Sequence, residues 1–183
     1  MPNPPRDPNK EVLRKSLRKI IVHAPEQASE RIVASLRELL TAHSSWRRIA
    51  LFSAIRQEPQ ILALIDLFPD RQFALPRIEH DVMEFHRVSN PSQLIAGVWG
   101  IREPAAHAPV FDPNEIDVFL CPGMAFTAAG HRLGKGKGYY DRYFARIQSL
   151  PPCIGVTFSD FILPDLPHQQ HDVPMSLVLS EEA

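Results

Sequence analysis

Residues 130–142 read Gly-His-Arg-Leu-Gly-Lys-Gly-Lys-Gly-Tyr-Tyr-Asp-Arg and hold four of the chain's eight glycines, interleaved with Arg132, Lys135 and Lys137. Each glycine costs folding roughly 0.5–1 kcal/mol relative to alanine, so four together need a cause that a simple turn does not supply. Glycines at alternate positions strip away Cβ atoms and let successive backbone N–H groups turn toward one anion, while the cations close on it from outside. The anion that fits is a polyphosphate. The G-x-x-x-x-G-K-[ST] phosphate loop is excluded, because each Gly-Lys is followed by glycine. The dinucleotide fingerprint is also a poor match, because Gly134-x-Gly136 has no glycine at the third spacing and no strand leads straight into it. A glycine-rich hinge or an RNA-contacting Gly-Lys segment is the alternative. Against it stands the helical spacing of Tyr139, Tyr143, Ile147 and Leu150, which predicts that the loop ends at the start of a packed helix.

A second basic group lies near the N-terminus. In a helix over 9–23, Leu13, Leu17, Ile20 and Ile21 form an apolar stripe. Lys10 and Arg14, at i and i+4, border it, while Lys15 and Lys19 point the other way. Either the two long stems snorkel from an apolar edge or they lean over a cleft toward an anion. If a nucleotide carries magnesium, Asp141 and Asp172 are the candidate carboxylates, since Mg²⁺ takes one or two from the protein and completes its shell with phosphate and water oxygens. His168 and His171 beside Asp172 lack a further ligand cluster, so zinc is not expected. No Gly-x-Ser-x-Gly and no Cys-His pairing stands out.

These groups need a scaffold. A chain of 183 residues with 44% apolar composition fits one compact core, predicted as a single α/β domain over 9–183 after a flexible, proline-rich lead-in at 1–8. Helices are predicted at 9–23, 26–43, 59–68 (opened by Pro59) and 138–150. Strands are predicted at 49–53, 72–75, 82–85, 115–121 and 153–158. That alternation implies a three-layer α/β/α arrangement around a mostly parallel, Rossmann-like sheet, with the site outside the carboxyl ends of the strands. The loops after Phe52, Leu75 and Cys121 should share that rim. A net charge of −1 gives no global attraction to nucleic acid or anionic membranes, and no long apolar segment or leader pattern stands out. Cys121 and Cys153, in apolar runs, read as buried thiols of a cytoplasmic protein.

Together these residues resemble the 5-formyltetrahydrofolate cyclo-ligase family over nearly the whole chain. The likeness comprises Lys10-x-x-Leu13-Arg14, Phe52-Ser53 with Glu58, Leu75-Pro76-Arg77, Met83-x-Phe85, Gly100-Ile101-x-Glu103-Pro104 and Ile116-Asp117-x-x-Leu120-x-Pro122-Gly123-Met124-Ala125-Phe126. It closes with Gly130-x-Arg132-Leu133-Gly134-x-Gly136-x-Gly138-Tyr139-Tyr140-Asp141, Leu166-Pro167 and His171-Asp172. The resemblance implies an ATP-dependent ligase, a monomer without nucleic-acid or membrane partners. It would turn 5-formyltetrahydrofolate into 5,10-methenyltetrahydrofolate by phosphorylating the formyl oxygen. It also implies that Lys10, Arg14, Arg132, Leu133, Gly134, Lys135, Gly136, Lys137, Gly138, Tyr139 and Tyr140 bind ATP, with Arg132, Lys137 and Tyr139 catalytic. Asp141 and Asp172 would hold Mg²⁺. Ser53 and Glu58, with Lys135, Gly136, Lys137, Gly138 and Tyr139, would line the folate site, Glu58 accepting from pterin N–H groups. Two other readings are a family relative that binds ATP but acts on another substrate or regulates, and an RNA-binding module. The near-zero charge and the lack of an aromatic-basic stacking motif weigh against the latter. Thr127, Ser176 and Pro59-Gln60-Ile61 depart from the family pattern, and are expected to touch the substrate rim and the surroundings of the metal.

Overall fold

The computed structural model describes residues 7–97, 100–169 and 172–182. Ten strands are named in chain order: β1 Arg48–Ala50, β2 Gln72–Glu79, β3 Val82–Val88, β4 Ile95–Ala96, β5 Arg102–Glu103, β6 Val118–Cys121, β7 Ala125–Phe126, β8 Arg132–Leu133, β9 Cys153–Val156 and β10 Leu177–Leu179. The helices are α1 Pro8–Leu17, α2 Pro25–Ala42, α3 Leu64–Leu67 and α4 Tyr139–Phe144.

The main sheet runs β10-β9-β6-β1-β2-β3. All neighbours are parallel except β2 and β3, which form an antiparallel hairpin at one edge. Alternation along the strands divides the core in two. Ile49, Leu51, Phe73, Leu75, Val118, Leu120, Ile154 and Val156 face Leu17 of α1, Ile32, Leu36 and Leu40 of α2 and Leu64 of α3. Ala50, Ala74, Phe85, Phe119, Cys121 and Cys153 face Tyr143 and Phe144 of α4. Both faces of the central strands are therefore covered, as a parallel sheet requires, and the three-layer α/β/α reading is correct.

Several boundaries differ from the periodicity, two of them because a tertiary hydrogen bond outbids a local one. The first helix stops at Leu17 rather than at 23, and Ile21, assigned to the apolar stripe, is 72% exposed. Gln57 explains the stop: at φ 69° it turns its side-chain amide onto the carbonyls of Leu17 and Ile20. Over 59–68 only Leu64–Leu67 is helical. Pro59 opens no helix, because the Gln60 N–H donates instead to Ser29 Oγ of α2 at 3.1 Å. The helix predicted to reach 150 ends at Phe144, where Arg146 and Ile147 bond back only three residues and tighten the last turn.

The chain does not form a loop after Leu75. β2 runs on to Glu79 and turns at His80-Asp81, two residues at φ 47° and 62° of the kind that joins a tight hairpin. Pro76 makes this possible. Ala74 turns its carbonyl to Leu51 N, the last rung toward β1, so two residues on the missing N–H of Pro76 falls where β1 has already left the sheet. The hairpin thus projects beyond β1 as a wall, braced along β3 by Pro109 and Phe111.

Candidate active site

The strand ends, the hairpin wall, the start of α1 and the glycine loop enclose one cleft of about 620 Å³, within the range of small-molecule sites. Its floor is Phe52 and Ser53 after β1 and Pro122 and Gly123 after β6, both at carboxyl ends of parallel strands. Residues 132–141 form one side, Lys10 and Arg14 a second, and Pro76, Ile78, Met83, Ile101 and Glu103 the third.

α1 is started by Asp7, whose carboxylate accepts from Asn9 N at 2.8 Å and Lys10 N at 3.4 Å, with Pro8 in the favoured first position. That start aims Lys10 and Arg14 inward, and both are buried, whereas Lys15 and Lys19 lie exposed. Lys10 Nζ reaches Asp172 Oδ2 at 2.6 Å, and the same oxygen accepts from Gln169 N at 2.8 Å. Arg14 Nε donates to the Gly134 carbonyl at 2.9 Å, and its Nη1 lies 3.4 Å from Glu11. The two basic groups of the sequence therefore meet across the cleft, and the leaning-over reading of Lys10 and Arg14 prevails over snorkelling.

The glycines of the loop divide by role. Gly136, at φ 90°, lies against the Arg14 guanidinium, whose Cζ would be 3.2 Å from an added Cβ. Gly130 does not line the cleft: at φ 92° it turns the chain against Met175, whose carbonyl would lie 2.3 Å from a Cβ there. Leu133 borders the cleft but is buried in the core, its carbonyl accepting from Met124 N at 2.8 Å. Arg132 Nη2 pairs with Asp141 Oδ1 at 3.0 Å, Nη1 reaches the Pro122 carbonyl at 3.4 Å, and the guanidinium lies 5.1 Å over the Tyr140 ring. Burial pushes the Tyr140 phenol well above its ordinary range, and its hydroxyl has no hydrogen-bond partner among the described residues. Tyr139 donates to Asp81 Oδ1 at 3.0 Å, and burial followed by that bond raises its phenol too. Gly138 caps α4 at φ 63°, and the Lys137 carbonyl accepts from Arg142 at 2.7 Å.

Glu58 lies in a turn rather than in the first turn of a helix. Its Oε2 accepts from Ile55 N at 3.0 Å, and its Oε1 pairs with Lys135 of the glycine loop. Ser53 is buried beside it in the cleft floor.

No cluster of three or more potential metal ligands exists among the described residues. Asp141, a third exposed, lines the cleft while its Oδ1 holds Arg132, and a single partly exposed carboxylate of this kind suits an ion carried in by a polyphosphate. His171 lies outside the described residues. Thr127 and Ser176 are not on the cleft rim. Thr127 Oγ1 closes the β7–β8 turn by accepting from His131 N at 3.1 Å, and Ser176 Oγ accepts from Cys153 N at 3.3 Å beside the sheet.

The third wall went unassigned by sequence reasoning. Glu103 is 4% exposed, and its Oε2 accepts from Ile78 N at 3.1 Å, tying β5 to the free edge of β2. Ile78 and Met83 are paired across the hairpin. The signal was the short apolar alternation in 72–88, which shows strands but not that they project over a cleft.

The chain matches the model of the 5-formyltetrahydrofolate cyclo-ligase family over residues 6–181. It is 30% identical over 166 residues to the 5-formyltetrahydrofolate cyclo-ligase of Mycolicibacterium smegmatis, an alignment covering 85% of each chain. Among solved structures it resembles the 5,10-methenyltetrahydrofolate synthetase of Aquifex aeolicus, with a TM-score of 0.82 and 30% identity over 95% of this chain and 90% of that one. It also resembles the 5,10-methenyltetrahydrofolate synthetase of Mycoplasma pneumoniae, with a TM-score of 0.77 and 25% identity over 95% and 99%. Sequence, fold and cleft agree, and the chain belongs to the 5-formyltetrahydrofolate cyclo-ligase family.

Proposed function

We propose that this protein is an ATP-dependent 5-formyltetrahydrofolate cyclo-ligase that makes 5,10-methenyltetrahydrofolate, ADP and phosphate. One observation carries the reading: Lys135 of the glycine loop is paired with Glu58 of the turn beside the cleft floor, so a phosphate half and an acceptor half share a single cleft. Lys10, Arg14 and residues 132–140 are the phosphate half. Ser53, Glu58 and the apolar wall of Ile78, Met83 and Ile101 are the folate half.

The chemistry follows from a poor leaving group. An amide-like formyl oxygen does not depart by itself. If it attacks the γ-phosphorus and displaces ADP, it becomes a phosphate ester; N10 of the folate then attacks the formyl carbon, the C–O bond breaks, and phosphate leaves. No side-chain nucleophile is needed, so the work is alignment and neutralisation of charge on the moving phosphoryl group. Arg132 and Lys137 supply positive charge at the transferred group, and Tyr139, at the loop's end, positions it. Glu58 accepts pterin N–H donors, with Lys135 leaving it as the nucleotide arrives. Asp141, joined by Asp172, would hold Mg²⁺, which would supply charge neutralisation to the phosphates.

The same proposal includes a single domain acting as a cytoplasmic monomer without a nucleic-acid partner. Two free buried thiols and a net charge of −1 support this, and among the described residues no helix is long and apolar enough to cross a membrane. The test is the absorbance of methenyltetrahydrofolate formed from 5-formyltetrahydrofolate. Product should appear only with both ATP and Mg²⁺, and ATP-independent or absent product rejects the reading. Lys137→Ala should raise the KM for ATP at least about tenfold, the loss of one charged contact, while Lys19→Ala leaves it unchanged.

A further inference from the structure

A second cleft of about 590 Å³ lies on the other side of the 54–58 turn, between that turn, the start of α2 and Phe158. Ile55, Arg56 and Glu58 line both clefts, so the turn is a low partition between them. Arg56 sits on it, exposed, with no ion pair or hydrogen bond among the described residues. Its neighbours differ. Lys10, Arg14, Arg132 and Lys135, which border the main cleft, are each already held by a carboxylate. Arg56 is therefore a long, exposed cation left available on the partition beside Glu58.

We propose that Arg56 and the second cleft take the glutamate tail of the substrate. The inference rests on the folate reading above. A folate is a flat ring joined through a benzoyl group to a glutamate bearing two carboxylates; with the ring against Glu58, the tail must leave past the partition. The main cleft, of about 620 Å³, also has to hold the nucleotide. A guanidinium binds a carboxylate through two parallel N–H donors, which gives direction as well as charge. The acids of the second cleft do not cancel this: Glu58 is buried, with one oxygen held by Ile55 N and the other turned to the main cleft, where Lys135 and then the pterin N–H groups occupy it, and Glu26 is exposed to water on the first turn of α2.

The experiment compares 5-formyltetrahydrofolate with 5-formyltetrahydropteroate, which lacks the glutamate, in the wild type, Arg56→Gln and Arg56→Lys. Arg56→Gln should raise the KM for the glutamate-bearing substrate about tenfold, leave kcat and the KM for ATP as they are, and have no effect with the pteroate. Arg56→Lys should recover part of the loss. An equal loss on both substrates, or none on either, overturns the proposal. Binding of p-aminobenzoylglutamate against p-aminobenzoate, measured by calorimetry, needs no turnover. A preference for the former that disappears in Arg56→Gln supports the tail site even if the wild type makes no methenyl product; its absence in the wild type overturns it.

Discussion

At the scale of single residues, the contact between α1 and the glycine loop depends on what is missing from Gly136 as much as on the charge of Arg14. A methyl group there would stand 3.2 Å from the Arg14 guanidinium carbon, and the backbone sits at φ 90°, where side chains are strained. Gly136→Ala should cost about 1–2 kcal/mol of stability and raise the KM for ATP about tenfold by pushing Arg14 off the Gly134 carbonyl. Thermal melting and steady-state kinetics check the two effects separately, and an unchanged KM with a lowered Tm would show that Arg14 does not serve the nucleotide. The residue types and spacing of the loop were legible in the chain, because glycines alternating with cations have few other uses. Which glycine does what was not: Gly130 and Gly136 share a motif, yet one packs against Met175 and the other against Arg14.

At the scale of elements, the β2–β3 hairpin is the part that local periodicity misjudged and the part that completes the cleft. Its tip reaches the glycine loop, where Tyr139 donates to Asp81 and Arg142 joins the Asp81 carbonyl at 3.4 Å to the Lys137 carbonyl at 2.7 Å. The hairpin should therefore hold the loop in place. Asp81→Ala and Tyr139→Phe should each raise substrate KM values a few-fold with little change in Tm. The double variant should be hardly worse than either single one, a coupling of about 0.5–1 kcal/mol. Additive effects would mean that the hairpin and the loop act independently. The short α1 and the displaced third helix are each settled by a partner far along the chain, through Gln57 and Ser29, whereas Pro76 acts at the hairpin by withholding an N–H from β1.

At the scale of the whole molecule, the three tyrosines of the chain all belong to α4 and are all held neutral. Burial raises the phenols of Tyr139, Tyr140 and Tyr143 above their ordinary value of 10.0, and burial beside Cys153 raises the Cys121 thiol. Because the folded values lie above the unfolded ones, the stability these groups lend is complete below about pH 9 for the thiol and about pH 10 for the phenols. It is lost as pH rises through the folded values. Absorbance at 295 nm followed beside circular dichroism should show the tyrosines ionising late and together with unfolding. Ionisation near pH 10 in a protein that stays folded would contradict the packing of α4.

The sequence by itself determined the fold class, the presence of a basic first helix and a glycine-rich, cationic loop, and the family likeness, because periodicity, charge and backbone freedom are properties of neighbouring residues. Only the tertiary structure decided that Lys10 meets Asp172, that Lys135 meets Glu58, and that a hairpin rather than a loop forms the third wall. Those contacts join residues that lie tens to more than a hundred positions apart. No local pattern encodes them, since they arise only when the sheet brings its strand ends to one rim.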